Sequence, residues 1–426
     1  MLRRALHELR QAGLLAWGLV ALGVCWLGYG FWRLCLVAGR DGGGVDLRLR
    51  WREVEFWWRG LDLYRDLPDA MYPPASYLLF TPLLGWGSFG TVRWVYAGLQ
   101  VLCLIALGVA LHRAAGGTRR QRWLLVALAL ASYPLGAGIG NGQVALPVLV
   151  LVIAAAHATR AVPMALALAG ALIKPTLGGP FVIVLLVRSR GVVAVALAGT
   201  LYLGLTLGAT LPIEASPLER MGAWAERGVE GAHFGASRGE GSMGTRNRRS
   251  LESAVRVGAG RGPTAAQRRA RNKRRTKPRP FTIKSVNVHS MLAWGGLPGW
   301  MTLGTLVTVL LTWAWVVRRR TAPVWTQLGV VGIATVLCTY HAWYDHAVLL
   351  LPLVALQRIA TGLDPGGLAP TRARALAVLL GLSLLAPGGL YLLPHPLNNA
   401  YVVAQTVVWL MTAAALVRHA RRPAAS

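Results

Sequence analysis

Long apolar runs alternate with short arginine-bearing loops along most of the chain. Seven runs are long enough, or nearly so, to cross the bilayer as helices: 13–38, 92–112, 192–211, 291–317, 325–340, 375–393 and 400–417. A crossing needs about 20 apolar residues to span ~30 Å of hydrocarbon. Five further runs are shorter and broken by Gly or Pro: 123–137, 144–158, 162–173, 176–187 and 346–357. Broken spans persist in a membrane where neighbouring helices or a water-filled cavity satisfy the freed backbone groups. The pattern predicts an all-α polytopic membrane protein with a bundle of about 12 transmembrane helices. The run Leu14–Val37 exceeds a signal-peptide core and no A-x-A-like site follows it, so it reads as the first span.

One loop carries a different period. In residues 46–64, Leu47, Trp51, Val54, Trp58 and Leu61 recur at helical spacing, and Arg48, Arg52, Glu55 and Arg59 recur on another face. This is an amphipathic helix too charged to span, with tryptophans suited to the headgroup level. Asp46 falls at or just before its first turn, where an Asp can serve simply as an N-cap. Beyond it, Tyr72-Pro73-Pro74 disfavours helix until Pro74, which can begin a short apolar helix ending near Trp86.

Composition sharpens this reading. Of 426 residues, 54% are hydrophobic and 14% charged, against about 25% charged in average chains. The net charge of +29 is spread over loops beside spans and one basic stretch. No stacking-aromatic pattern accompanies it, which argues against nucleic acid as a partner. Cys25, Cys35, Cys103 and Cys338 all lie inside apolar runs and read as small buried hydrophobes, not as a disulfide framework or zinc set.

Arginines mark cytoplasmic loops. Arg3, Arg4, Arg113, Arg119, Arg160, Arg188, Arg318, Arg358, Arg372 and Arg418 then fall on one side. Both termini are cytoplasmic in this scheme, and the chain is a multi-pass protein of the cell membrane. The opposite loops, 39–73, 138–143, 174–175, 212–290, 341–345 and 394–399, hold Asp46, Tyr72, Asn141, Gln143, Lys174, His341, Tyr344 and Asp345. Three units follow: 1–212, an N-terminal transmembrane module with outer loop 39–73; 213–285, an outer loop; and 286–426, C-terminal transmembrane helices. Within the outer loop, residues 246–284 contain 14 Lys plus Arg against Glu252 alone, a composition that buries no core. Three readings stand for this stretch: a disordered loop touching anionic headgroups, an inward loop after a missed span, or an out-of-frame stretch.

Several short motifs, in order, resemble glycosyltransferase family 87, the polyprenyl-phosphate-mannose-dependent α-mannosyltransferase-like family of the GT-C class. They are Asp46, Gly60-x-Asp62-x-Tyr64, Tyr72-Pro73-Pro74, Thr81-Pro82-Leu83, Asn141-Gly142-Gln143, Gly170 through Lys174-Pro175, and Tyr344-Asp345. The resemblance implies a GT-C bundle. It also implies a hexosyltransferase taking a sugar from a polyprenyl-phosphate donor to a lipid or glycan acceptor at the outer face. Asp46 matches the carboxylate of the first outer loop and would be the general base of an inverting displacement; Asp62 is its reserve, because Leu47 stands where the family usually has an aromatic residue.

A phosphate leaving group needs cations nearby. Lys174 and His341 are the candidates, although Lys174 at a span end can also snorkel to the headgroups. Tyr72, Asn141, Gln143, Tyr344 and Asp345 are candidate substrate-binding residues, with helix capping the alternative for Asn141 and Gln143. No cofactor is implied, and His341, Asp345 and His346 lack a firm metal spacing. A multi-span transporter or lipid-linked-sugar flippase is the rival reading. It predicts two related halves, and no repeat relates 1–212 to 286–426.

Overall fold

The computed structural model describes residues 13–37, 43–67, 70–211, 216–226, 298–338, 343–385 and 397–420. His341 and the basic stretch 246–284 lie outside the described residues. Every regular element among the described residues is helical.

The order begins with α1 (Gly13–Trp32), prolonged by a π-helical turn (Arg33–Val37), then α2 (Val45–Trp58), α3 (Pro74–Leu84) and α4 (Phe89–Ala114). Next come α5 (Arg119–Leu130), α6 (Tyr133–Asn141), α7 (Ala145–His157), α8 (Ala161–Ala171), the irregular α9 (Pro175–Leu186) and α10 (Gly191–Thr210). The C-terminal part holds α11 (Pro298–Arg318), α12 (Val324–Cys338), a 3-10 segment (Trp343–Leu349), α13 (Leu350–Ala360), α14 (Pro370–Leu385) and α15 (Leu397–His419).

Four of these helical stretches are long and apolar enough to cross a membrane alone: Leu14–Val37, Phe89–Ala114, Gly191–Thr210 and Ala400–His419. A fifth crossing arises if α5 and α6, bent by 42° at Ala131-Ser132, form one span. The apolar helices α3, α7, α8, α9 and α12 are shorter, at 10–17 residues. The long helices keep large apolar side chains on their outer surface, Leu22, Leu102, Val192 and Leu410 among them, as a lipid-facing helix does.

Small residues let the helices approach closely. A Cβ at Gly30 of α1 would meet the Gly136 carbonyl oxygen at 2.7 Å, and one at Gly136 would enter the Trp26 ring. Helix α12 is buried along nearly its whole length and forms the centre of the C-terminal half.

The arginine-bearing loops gather at one end. Arg358 donates to the Ala114 carbonyl at 2.7 Å and pairs with Asp364 at 2.8 Å. The Leu368 N–H donates to His419 Nδ1 at 3.3 Å. His157 packs against Trp325 with the rings tilted by 45°, and it feels the charges of Arg188 and Arg358. From this end α8 runs towards Lys174, and α12 towards the turn bearing Asp345.

Candidate active site

The first turn of α2 is set by its backbone. Gly44 occupies the N-cap in the left-handed region (φ 57°), and its N–H donates to the Gly140 carbonyl at 2.8 Å. A glycine takes this conformation without steric penalty. Asp46 is the second residue of the helix, and no side chain caps the N-terminus. The capping reading of Asp46 thus gives way to a carboxylate that accepts a hydrogen bond from the Gln143 side chain.

Gln143 is itself fixed. Its backbone carbonyl accepts from the Tyr96 hydroxyl at 2.7 Å and from Gln100 Nε2 at 3.0 Å, both on α4. Its backbone N–H donates to the Gly138 carbonyl, closing α6 through Gly142 at φ 74°. A Cβ at Gly142 would lie 2.4 Å from the Cβ of Leu47. Helix α2 therefore rests directly on the α6–α7 turn, and that contact positions Asp46.

Lys174 sits where α8 ends, ahead of Pro175, which disfavours helical backbone at the residue before it. Its Nζ lies 2.6 Å and 2.7 Å from the two carboxylate oxygens of Asp345 and 5.4 Å from the centre of the Tyr344 ring. The ammonium ends on a buried carboxylate rather than snorkelling outwards. Burial disfavours its charge, but Asp345, Tyr72 and Asp46 outweigh that penalty and hold it above the ordinary lysine range, so Lys174 stays protonated.

The charges of Arg50, Lys174 and Asp345 all reach Asp46. Burial raises the Asp46 carboxyl above the ordinary carboxylate range; the Gln143 hydrogen bond, Arg50 and Lys174 partly oppose this, and Asp345 adds to it. A raised carboxyl is better matched to taking a proton near neutrality.

Arg50 and Glu53 complete the cluster, and the apolar pattern of the sequence had passed over both. They are buried on the inner face of α2, 2.5 Å apart, with the Arg50 guanidinium 4.5 Å from the centre of the Tyr72 ring. Their signal was spacing: Leu47, Arg50, Val54 and Trp57 fall on one side of a helix, so the buried face is rotated from the one that Trp51, Trp58 and Leu61 suggest. Trp57 is inside, donating to the Ala209 carbonyl at 2.7 Å, whereas Trp58 is exposed.

The remaining candidates divide. Tyr72 and Tyr344 join the cluster through Arg50 and Lys174. Asn141 accepts from Arg33 at 3.0 Å. Asp62, the reserve base, pairs with Arg220 of the short helix 217–226 and caps the Tyr64 N–H at 3.1 Å. No three His, Cys, Asp or Glu side chains among the described residues come close enough to hold a metal ion.

The model of glycosyltransferase family 87 matches residues 70–246. The chain carries a glycosyltransferase family 87 domain. This makes it a transferase enzyme, and its apolar helices place it in a membrane. The family 87 match takes in Tyr72, Asn141, Gln143 and Lys174; Asp46, Tyr344 and Asp345 lie outside the matched residues and meet them in space. No curated protein and no solved structure matches the chain.

Proposed function

We propose that this glycosyltransferase moves mannose from a polyprenyl-phosphate donor to a hydroxyl of a lipid or glycan acceptor, with inversion at the anomeric carbon. The observation that carries the reading is the Lys174 ammonium held on Asp345 at 2.6 Å and 2.7 Å, within reach of the charge of the Gln143-bound Asp46 carboxyl. Asp46 takes the acceptor hydroxyl proton as that oxygen bonds to the anomeric carbon. The bond from that carbon to the phosphate oxygen breaks, and polyprenyl phosphate leaves with the electron pair. Lys174 stabilises the charge on that oxygen, in the manner of a preorganised cation at a leaving group.

Tyr72, Gln143, Tyr344 and Asp345 line the sugar and phosphate positions in this scheme, with Asn141 contacting the acceptor and His341 a second phosphate partner. The fold belongs to the GT-C class in this reading, the shorter helices completing twelve crossings of the cell membrane. Both termini are cytoplasmic and the site faces outward, with units 1–212, 213–285 and 286–426. Supporting this orientation, the arginine loops gather at the end away from Asp46 and Lys174, as the positive-inside bias requires.

The test is transfer of radiolabel from polyprenyl-phosphate mannose to a lipid extract by purified wild type and by Asp46→Asn. Label transfer by wild type alone supports the reading. Equal transfer by both proteins removes Asp46 as the base, and no transfer from this donor by folded wild type removes the donor assignment.

A further inference from the structure

Helices α11, α12 and α15 leave an open groove of about 740 Å³ between them. Its walls are apolar side chains, Leu311, Ile333, Leu337 and Leu410 among them, and its lining ends at Arg318 and Arg319. Leu311 is 65% exposed and Leu410 52% exposed, so the groove opens sideways towards the surrounding lipid. Along α11 the lining runs from Thr308 to Arg318, which at about 1.5 Å per residue is a length of about 15 Å. That is close to half the ~30 Å hydrocarbon core, the depth of one leaflet.

Among the described residues, neither Arg318 nor Arg319 pairs with a carboxylate. We propose that this groove binds an anionic phospholipid of the bilayer, with its acyl chains along Leu311, Ile333 and Leu410 and its phosphate at Arg318 and Arg319. The dimensions fit an occupant with one-leaflet tails. The two guanidiniums fit a phosphate, for which arginine offers a planar, bidentate fork. The headgroup end lies with the other arginine loops, the end from which α12 runs towards the turn bearing Asp345. A lipid whose headgroup must reach Lys174 would enter from the opposite end.

The experiment uses the full-length protein in nanodiscs and native mass spectrometry. Phosphatidylglycerol is titrated against phosphatidylcholine of the same acyl chains, with polyprenyl phosphate as a third probe. Phosphatidylglycerol is expected to be retained preferentially. Basic residues near a lipid surface contribute about fivefold each to anionic-lipid affinity, so Arg318→Ala with Arg319→Ala lowers it about 30-fold. Ala413→Trp fills the groove with both arginines in place and is expected to displace the lipid. Ala334→Leu, a smaller intrusion from the opposite wall, supplies the same readout if Ala413→Trp does not fold. Equal retention of the two phospholipids, or unchanged phosphatidylglycerol binding in the arginine double variant, overturns the proposal. So does preferential capture of polyprenyl phosphate that the groove-filling variant abolishes.

Discussion

Lys174 and Asp345 are 171 positions apart in the chain, yet the lysine ammonium bridges both oxygens of the aspartate at 2.6 Å and 2.7 Å, almost shielded from solvent. Removing one partner of a buried pair leaves the other charge uncompensated, at a cost of about 3–5 kcal/mol. Lys174→Met is therefore expected to lower thermal stability and abolish transfer. Adding Asp345→Asn removes the stranded charge and should restore much of the melting temperature while transfer stays lost. Thermal unfolding beside the transfer assay checks both halves; recovery of transfer in the double variant would show that Lys174 is purely structural.

Asp46→Asn is expected to lower turnover about 10²- to 10⁴-fold, the usual worth of general-base help. The amide keeps the size of the carboxylate and its contact with Gln143 but cannot take a proton. Because Gly44 rather than Asp46 holds the N-cap position, helix α2 should form normally, with an unchanged circular dichroism spectrum and melting temperature. Donor binding, measured by competition with unlabelled polyprenyl-phosphate mannose, should persist.

The pH profile carries a sign. A general base works only when deprotonated, so the rate rises as pH passes through the Asp46 pKa and levels off above it. Burial holds that carboxyl above its ordinary range, so the acid limb of kcat/KM should lie above the ~3.9 of a free aspartate. The Gln143 hydrogen bond favours the charged form; Gln143→Leu should therefore move the limb to higher pH. An acid limb in the same place in both proteins would mean that another group governs it.

Gly142→Ala probes the seat of α2. The residue has φ 74°, and the new methyl would meet the Leu47 Cβ at 2.4 Å. Backbone strain of this kind costs about 1–3 kcal/mol. The clash would also displace Asp46, and a misplacement of about 1 Å can lower a rate about 10²-fold. Gly362→Ala is the control: it has the same φ of 74° and nothing within 4 Å of the added methyl. The control should lose some stability and keep its transfer rate, whereas Gly142→Ala should lose both.

Hydrophobic periodicity located the four helices long enough to cross alone and put Asp46 at or just before the first turn of α2, which starts at Val45, one residue ahead of it. The start of α3 at Pro74 was equally legible, because a proline at the first helical position loses no hydrogen bond. The rotation of α2 was not. In a membrane protein both the core and the lipid-facing surface take apolar side chains, so Trp58 could be outside while Arg50 and Glu53 paired inside. The meeting of Lys174 with Asp345 was legible only as two opposite charges at the ends of distant spans. The shortness of α7 and α8 reflects the same Gly and Pro residues that broke their runs, and apolar length alone leaves their crossings unassigned.

The ion pair between α8 and the turn after α12 also joins an early part of the chain to a late one. A ribosome releases Asp46, Gln143 and Lys174 long before Asp345, so a nascent chain carries the proposed base and cation while still lacking the carboxylate that holds the cation in place. Lys174 is locked only after the third quarter of the chain has entered the bilayer. In the proposed scheme a chain truncated ahead of residue 345 lacks the carboxylate partner of Lys174, and it is expected to be inert in the transfer assay.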